Sequence, residues 1–485
     1  MKELVQQALD TARARGAAYA DARAQKTRTQ GLVVKNGRVG SISETEGMGV
    51  GVRVIAAGSW GFASTHDLSK EGIDAAAARA VAIARASALC RRGELRLAPV
   101  PPVRASWRTK VEIDPFSIPV EEKIALLLAA DEAARRANGI TVTEAQMQFV
   151  ERDQWFFSTE GAEIHQVILM SGCGMGATAI RGGEMQTRSY PAPFGGQWAG
   201  RGYELVREVD LPGHAGTIGE EAVALLDADQ CPSGVFDLIL GSSQLGLQVH
   251  ESCGHPIELD RVLGSEANFA GTSFLTLERL GKLRYGSPKV NLVADATEAH
   301  GPGPGTFGFD DEGVPAHRTE IVTEGMFKGY LTSRETAAIV GEGESNGTMR
   351  AEGWSHLPLI RMTNVSLMPG DDDLEEVIAS TKHGIYMDSN RSWSIDDRRL
   401  NFQFGTEFGW EIVDGKRTRL VKNPTYGGTT PEFWGSCDAV CDRRSWVLWG
   451  LPNCGKGEPM QVMATGHGAS PARFRNVKIG VGYGR

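Results

Sequence analysis

The first 230 residues contain one pattern twice, and this repetition limits the folds that the chain can adopt. An amphipathic helix at the start is followed by strand-like runs around a turn at Asn36-Gly37. A second helix near residues 120–137 is followed by similar runs around a turn at Glu160-Gly161. The turns correspond at an offset of 124 residues, and Gly47-Met48-Gly49 corresponds to Gly174-Met175-Gly176 at an offset of 127. The pattern predicts two copies of a unit made of a helix and an antiparallel meander. The alternative is that glycine-rich hairpins merely look alike.

The second half of the chain is dominated by strand patterns. Hairpins are predicted around Glu324-Gly325 and Asp414-Gly415, and short helices at 333–340 and 373–382. Antiparallel strands segregated from a few helices define an α+β fold. A chain of 485 residues is long for one hydrophobic core. We therefore predict an N-terminal α+β domain over 1–230, with a possible internal duplication, and a β-rich C-terminal domain with short helices over 231–485.

Charge and cysteine usage exclude several classes of protein. The formal net charge is −9, and no run of Lys and Arg forms a phosphate-binding stripe, so direct nucleic-acid binding is not expected. The first helix lacks the apolar core of a signal peptide, and no run approaches the length of a membrane span. The seven cysteines have irregular spacing, which does not suggest a disulfide framework. We predict a cytoplasmic protein with no direct nucleic-acid or membrane partner.

The stretch "VHESCGHPIE", residues 249–258, begins like the zinc-protease motif H-E-x-x-H. In that motif the histidines are four residues apart, and both face one metal from one side of a helix. His250 and His255 are five apart, so on a regular helix their side chains would diverge by ~140°. A metal site at this motif therefore requires a break in the helix. The alternative is a helix end with a histidine satisfied by its neighbours.

The residues around the second histidine supply such a break. Proline at 256 disfavours helical geometry in the preceding residue, and Gly254 lets the backbone turn freely. The helix is predicted to begin near Ser242 or Ser243 and to end at about Cys253 or Gly254. His255 would then lie on an irregular turn that swings back toward His250.

A catalytic zinc typically has three protein ligands and a water, so the two histidines need one partner. The best remaining candidate is Cys454 in "LPNCGKGEP", where flanking glycines would expose the sulfur and Lys456 would favour the thiolate. Glu251 is then free to take a proton from the metal-bound water.

Other residues allow two interpretations each. Cys253 could face the same metal, but a buried apolar role is preferred. For Cys437 and Cys441, spaced i, i+4, core packing is preferred. His467 could contact substrate or stabilise an oxyanion, and a structural turn histidine is the alternative. The acidic run Asp310, Asp311 and Glu312 could bind a hard cation, but a solvated turn is preferred.

Several long segments resemble the TldD/PmbA family of metalloproteases, specifically its TldD branch with the motif H-E-x-x-x-H. They are "HESCGHPIELD", "FGFDDEGVPAHRT", "GYLTSRETA", "HLPLIRMTN", "CGKGEPMQV" and "GHGASPARFRNV", in the family's order. The resemblance implies that His250, His255 and Cys454 bind Zn²⁺ and that the protein is an endopeptidase acting on small or unfolded peptides. It also implies a dimer that encloses the active site, either a homodimer or a heterodimer with a PmbA-like subunit that lacks the metal motif.

Two further functions remain open at this point. Family members have been described as modulators of DNA gyrase, so the chain could be a non-catalytic binding protein of a partner protein, with structural zinc. An open metal position beside Glu251 favours chemistry, because structural zinc sites are closed by four protein ligands. The second alternative is hydrolysis of a non-peptide amide, which would use the same residues. Other borderline metals compete with zinc for imidazole and thiolate ligands.

Overall fold

The computed structural model describes residues 1–91 and 93–480. In this part of the chain the first sheet has eight strands, with the order β3-β2-β1-β5-β6-β4, and β7 and β8 also pair with β6. Its strands are β1 (Tyr19–Lys35), β2 (Arg38–Ala56), β3 (Ser59–Thr65), β4 (Arg104–Arg108), β5 (Ile140–Ser158), β6 (Glu163–Arg181), β7 (Glu184–Tyr190) and β8 (Gln197–Ala199). The accompanying helices are α1 (Lys2–Ala14), α2 (Lys70–Ser87), α3 (Val120–Arg135), α4 (Glu204–Val209) and α5 (Leu211–Asp227).

The order helix, three antiparallel strands, helix occurs twice in this region, as the sequence repeat predicts. Asn36-Gly37 and Glu160-Gly161 form the corresponding turns, and Asn36 and Gly37 both have positive φ angles, as a tight hairpin turn requires. The strands differ from the prediction. The separate runs expected on each side of the turns are continuous strands of 17 to 19 residues.

Strand β1 is shared between two hydrophobic cores. The first half of β1 contributes Ala20, Ala22 and Ala24 to a core with α1 and α2. Its second half contributes Leu32 and Val34 to a different core with α3 and α5. Strand β1 also pairs along most of its length with β5 of the second repeat, so the two repeats form one continuous sheet.

The remaining strands form a second eight-stranded sheet, a six-stranded sheet and a two-stranded ribbon among the described residues. They are β9 (Asp229–Gln230), β10 (Gly234–Leu240), β11 (Leu292–Asp295), β12 (Arg318–Thr323), β13 (Met326–Phe327), β14 (Met349–Arg350), β15 (Leu359–Ile360), β16 (Asn364–Leu367), β17 (His383–Ile395), β18 (Asn401–Val413), β19 (Lys416–Lys422), β20 (Thr425–Thr429), β21 (Cys437–Val440), β22 (Val447–Lys456), β23 (Gln461–Ala469) and β24 (Ala472–Ile479). The helices are α6 (Ser242–Val249), α7 (Leu259–Val262), α8 (Leu374–Ala379) and α9 (Thr430–Gly435).

The second eight-stranded sheet has the order β17-β10-β24-β20-β18-β19-β9, and β21 pairs with β24 outside this order. An additional β17–β18 pairing closes part of this sheet into a ring. The six-stranded sheet has the order β13-β12-β11-β16-β23-β22. The hairpins at Glu324-Gly325 and Asp414-Gly415 are confirmed. The predicted α+β class, with a β-rich C-terminal part, is confirmed as well. Of the two predicted short helices, α8 lies within 373–382, and 333–340 contains only a 3₁₀ turn, Ala337–Val340.

Buried ion pairs join the first sheet to the C-terminal part. Arg23 on β1 pairs with Asp311 at 3.1 Å, and Arg53 on β2 pairs with Glu312 at 3.1 Å. Asp310 accepts hydrogen bonds from the backbone N–H groups of Val314 and Met349. These three acidic residues are at most 5% exposed, so the preferred prediction of a solvated turn is wrong. The arginines of the first sheet and the surrounding backbone N–H groups make their burial possible.

Helix α6 carries the histidine motif to the place where the two larger C-terminal sheets approach each other. It packs against β17 of one sheet and against β16, β22 and β23 of the other. The end of α6 therefore lies beside β22, the strand that carries Cys454. No helix in the described part of the chain is long and apolar enough to cross a membrane.

Candidate metal centre

The two motif histidines come together because α6 widens at its end. The α-helix stops at Val249, and residues 250–254 form a π-helical turn. The backbone N–H of His255 donates to the carbonyl of His250, five residues earlier. This i→i+5 hydrogen bond places residues five apart on one face of the turn. The centroids of the two imidazole rings are 4.9 Å apart.

The break in the helix differs from the one that the sequence predicts. The α-helix ends before Pro256, as expected, but His255 keeps helical angles with φ −63° and ψ −43°. Pro256 lies in the 3₁₀ turn His255–Ile257, near the start of a helical segment, where a missing N–H costs little. His255 thus lies outside the α-helix, as predicted, but the prediction of an irregular turn is wrong, because a π turn followed by a 3₁₀ turn brings His255 beside His250.

Cys454 reaches the histidines from β22. A bulge between Leu451 and Cys454 interrupts the pairing of β22 with β23. The Cys454 Sγ atom lies 3.7 Å from His255 Nε2, and the potential ligand atoms of His250, His255 and Cys454 all lie within 4.8 Å of one another. The three residues are 3%, 5% and 2% exposed, respectively. The structure thus brings the three predicted ligands into one buried cluster.

The surroundings of Cys454 differ from the sequence prediction. Its sulfur is buried rather than exposed by the flanking glycines. Lys456 does not stabilise a Cys454 thiolate as predicted, because its ammonium donates to Asp260 at 2.7 Å and to the Ile360 carbonyl at 2.6 Å. Burial raises the pKa of the Cys454 thiol to about 11, and the nearby Arg361 guanidinium opposes this rise. Arg361 also donates to the Cys454 carbonyl at 2.5 Å.

Hydrogen bonds to the far side of each imidazole fix which nitrogen faces the cluster. His255 Nδ1 donates to Glu258 at 3.0 Å, which leaves its Nε2 lone pair free. His467 Nδ1 lies 3.0 Å from the Val365 carbonyl, an acceptor, so this nitrogen carries the proton. His467 Nε2 can then accept from His250 Nδ1 at 2.7 Å, and His250 also presents Nε2. Burial lowers the pKa of both His250 and His255 well below the ordinary value, so both rings are neutral. Such outer hydrogen bonds are typical of metal-binding histidines.

His467 lies on β23, beside His250 and not in a turn. Its ring is 2% exposed, and Thr465 Oγ1 lies 2.9 Å from its Nε2. Both ring nitrogens therefore contact protein groups in this structure. The sequence identified His467 as a residue near the site, and direct contact with substrate stays a prediction.

Glu251 follows the first histidine and is 6% exposed. Burial raises the pKa of its carboxyl, and the guanidinium groups of Arg399 and Arg261 oppose that rise. Arg399 Nη1 lies 2.5 Å from the Glu251 carboxylate. Arg399 occupies the hairpin turn between β17 and β18, with a φ of 61°. Sequence reasoning missed this residue, because a turn residue 148 positions from Glu251 has no spacing relation to the motif.

A network of charges ties the segment after His255 to the segment after Cys454. Lys456 bridges Asp260 at 2.7 Å and Glu258 at 3.4 Å, and all three residues are buried or nearly so. Glu258 in turn accepts from His255. Lys456 therefore contacts Glu258, the carboxylate that orients His255. This contact holds the segment that carries Cys454 in a fixed position relative to the segment that carries His255.

The other cysteines lie outside the cluster. Cys253 is fully buried, and burial raises the pKa of its thiol to about 12. Cys437 begins strand β21 and Cys441 follows its end, so their spacing is not helical, and both are buried. These positions agree with the preferred interpretation of core packing.

The donor set of the cluster fits a borderline divalent metal. Two neutral imidazoles and one thiolate are typical ligands of zinc. In the described part of the chain the group contains three such residues, so a tetrahedral ion would keep one position for water or substrate. The arrangement fits a catalytic metal site, since structural zinc sites are closed by four protein ligands.

Comparisons with known proteins agree with this class. Models of the PmbA/TldA metallopeptidase C-terminal domain, domain 1 and central domain match residues 233–481, 20–84 and 113–227, respectively. A metalloprotease of Methanothermobacter thermautotrophicus is 30% identical over 95% of both chains. A zinc metalloprotease TldD homolog of Saccharolobus solfataricus is 27% identical over 41% of this chain and 42% of its own length.

Fold and donor set together define a metallopeptidase. The chain belongs to the PmbA/TldD family of metallopeptidases. A putative modulator of a DNA gyrase from Thermotoga maritima has a similar fold, with a TM-score of 0.77, 18% identity and coverage of 98% of this chain and 99% of its own. At that identity the likeness extends to the fold alone.

Proposed function

We propose that the protein is a zinc-dependent endopeptidase that hydrolyses small or unfolded peptides, with Glu251 as the proton acceptor. The observation that carries this proposal is the buried cluster of His250, His255 and Cys454, whose ligand atoms lie within 4.8 Å of one another. Both histidines present Nε2 to the cluster, and Glu251 adjoins one of them. The zinc metalloprotease named among the relatives supports the choice of metal.

In the proposed hydrolysis, the residues around the cluster have separate roles. Bound zinc would polarise the peptide carbonyl and lower the pKa of a water molecule. Glu251 takes the proton from the attacking water and delivers it to the leaving amine. Arg399 holds the Glu251 carboxylate in place, and Glu258 and His467 orient the two imidazoles. Burial of the cluster excludes bulk water, which strengthens each of these electrostatic contacts.

The edge of the six-stranded sheet suggests how a peptide binds. Strand β22, which carries Cys454, is the end strand of that sheet. An extended peptide that adds to a sheet edge is held mainly through its backbone. We propose this mode for substrate, because it would bring a flexible chain past the metal ligands with broad sequence tolerance.

The assembly is proposed to be a dimer, either of two copies of this chain or with a PmbA-like subunit, that encloses the active site. We also propose that residues 1–230 and 231–485 form the two domains of the chain. A cytoplasmic location is proposed from the seven cysteines, all of which are free thiols. Sedimentation of the purified chain, alone and mixed with a PmbA-like protein, would determine the subunit composition.

A panel of unstructured peptides tests the proposed activity. Turnover should be present in the purified protein, lost with a chelator and restored by zinc. Turnover that a chelator does not affect would contradict a metal-dependent mechanism. If no flexible peptide is cut while small non-peptide amides are, the substrate class is wrong. If nothing is cut while a partner protein binds tightly, the protein is a binding module.

A further inference from the structure

A cavity of about 170 Å³ lies between the first sheet and the C-terminal part of the chain. Its walls come from β5 and β6 on one side and from the β22–β23 pair and the segment 304–311 on the other. Most of the wall is apolar, with side chains such as Ile168, Met170, Phe307 and Met463. Two arginines, Arg152 and Arg350, also line it, and neither has a role in the proposed reaction.

Arg350 enters the cavity from β14. Its guanidinium donates to the carbonyls of Met362, Ala464 and Pro304 at 2.8 to 3.2 Å. Within residues 1–91 and 93–480 it forms no salt bridge, and all its hydrogen-bond partners are carbonyl oxygens. Burial, together with the nearby charges of Arg361 and Arg152, lowers the pKa of Arg350 to about 9. This positive charge is therefore poorly compensated.

Arg152 approaches the same cavity from β5. It donates to the carbonyls of Ala351 and Glu352. Its Nε atom is buried and has no hydrogen-bond partner among the described residues. A buried donor without a partner is costly, so such a group is commonly satisfied by a ligand or water.

The acidic groups near the cavity do not cancel these charges. Asp311 accepts hydrogen bonds from Gln154 Nε2 and from the backbone N–H of Ala351, and it forms an ion pair with Arg23 at 3.1 Å. Its single negative charge is therefore shared among Arg23, Arg152 and Arg350. Burial and the neighbouring charge of Glu312 raise the pKa of Asp310 well above its ordinary value, which favours the neutral acid. The cavity thus combines apolar walls with an excess of positive charge.

We propose that this cavity binds the C-terminal carboxylate of a peptide together with the apolar side chain beside it. Guanidinium groups form strong charge-assisted hydrogen bonds with carboxylates, and the apolar walls suit the adjoining side chain. A cavity of this volume is close to the ~150 Å³ that holds one benzene-sized ligand, so it fits a chain end rather than a passing chain.

The position of the cavity links it to the metal centre. Met463, in its wall, is the register partner of Cys454, and Pro452 precedes that cysteine by two residues. The same strand pair therefore carries a metal ligand and one wall of the cavity. The choice of a peptide as the ligand rests on the proposed peptidase function, and a site of this kind would favour cleavage near the ends of short peptides.

Equilibrium titration of the full-length protein tests the inference. Two acetylated apolar tripeptides are compared, one with a free C-terminal carboxylate and one with a C-terminal amide. The titrations are made with the protein as purified and after chelation, because a carboxylate can also bind zinc directly. We expect the free acid to bind at least ~10-fold more tightly in both states, as expected for charge-assisted hydrogen bonds.

Variants test whether the free-acid peptide binds in this cavity. Arg152→Gln should reduce the advantage of the free acid, and Ala464→Leu should fill the cavity and weaken both peptides while leaving both guanidinium groups in place. Arg188→Gln is the matched control, since Arg188 is buried on the same sheet and paired with Glu221 and Glu407 outside the cavity. Thermal unfolding shows whether each variant is folded. If Arg152→Gln does not fold, Ala464→Leu still tests whether the peptides bind in this cavity.

Equal affinity for acid and amide overturns the inference, and so does a loss that Arg188→Gln shares. Two further ligands test which kind of anion the cavity binds. Equally tight binding of an amidated tripeptide ending in glutamate would show that the cavity recognises any carboxylate, and this would reject the chain-end assignment. Competition by inorganic phosphate at the concentration of the acid peptide would reject it as well. Peptide turnover without the acid–amide difference rejects this inference alone, whereas that difference without turnover rejects the proposed endopeptidase.

Discussion

At the scale of single residues, the two buried cysteines nearest the motif should behave differently. Cys454 lies in the ligand cluster, whereas Cys253 lies outside it. Cys454→Ser should lose most bound zinc after dialysis, because a hydroxyl replaces the thiolate ligand. Cys253→Ser should keep one zinc per chain. Elemental analysis decides this, and the reverse pattern would show that the ligand assignment is wrong.

The contact between Glu251 and Arg399 is a second prediction at this scale. Both side chains are largely buried, so Arg399→Gln leaves a carboxylate without its partner. Removing one member of a buried pair typically costs about 3–5 kcal/mol of unfolding free energy. The double variant Glu251→Gln/Arg399→Gln should recover much of that loss. Denaturant unfolding of the single and double variants measures the coupling, and strictly additive losses would mean that the pair is not formed.

The sequence supplies the candidate ligands, which the structure brings together, but not the residues that orient them. His250, Glu251, His255 and Cys454 stand in short motifs, so their chemistry can be predicted. Arg399 lies in a hairpin turn and Arg361 directly follows β15, and only the tertiary fold brings them to the site. The predicted role of Lys456 is wrong for the same reason, because its partners Asp260 and Glu258 come from another segment.

At the scale of elements, the π turn depends on close packing at Gly254. A Cβ atom at this position would lie 2.1 Å from Met362 Sδ, so Gly254→Ala forces the turn or the methionine to move. We expect weaker zinc binding and a loss of about 1–3 kcal/mol in unfolding free energy, as is typical of overpacking. Combining Gly254→Ala with Met362→Ala should give a smaller loss than the sum of the two. Zinc affinity and unfolding of the three variants test this, and unchanged zinc affinity in Gly254→Ala would contradict it.

Element type was easier to predict than element length. The turns at Asn36-Gly37 and Asp414-Gly415 have local signatures, and the structure contains them. The separate runs predicted around the first turn join into strands of 17 and 19 residues. The two halves of β1 pack on different pairs of helices, and the first half of β2 is exposed, so neither strand carries one burial pattern along its length. The spacing of His250 and His255 predicts a break, but a wide helical turn and an irregular backbone satisfy that spacing equally well.

At the scale of the whole molecule, the proposed enclosed dimer limits which substrates can reach the metal. Flexible peptides should be cut with broad sequence tolerance, because strand addition recognises the backbone. A stable folded protein should resist until it is unfolded. Gel analysis of one protein substrate in its native and its denatured, alkylated form makes the comparison, with a trypsin digest of each form as control. Rapid cleavage of the native form would count against an enclosed site.

The most direct test of the account is Glu251→Gln, measured for peptide turnover and zinc content together. The substitution keeps the size of the side chain and removes the proton acceptor, while His250, His255 and Cys454 remain. Turnover should fall at least ~10²-fold, since positioned acid–base groups typically contribute 10²- to 10⁴-fold. One zinc per chain and the sedimentation of the wild type should be retained. Unchanged turnover with zinc bound would contradict the assignment of Glu251 as the proton acceptor.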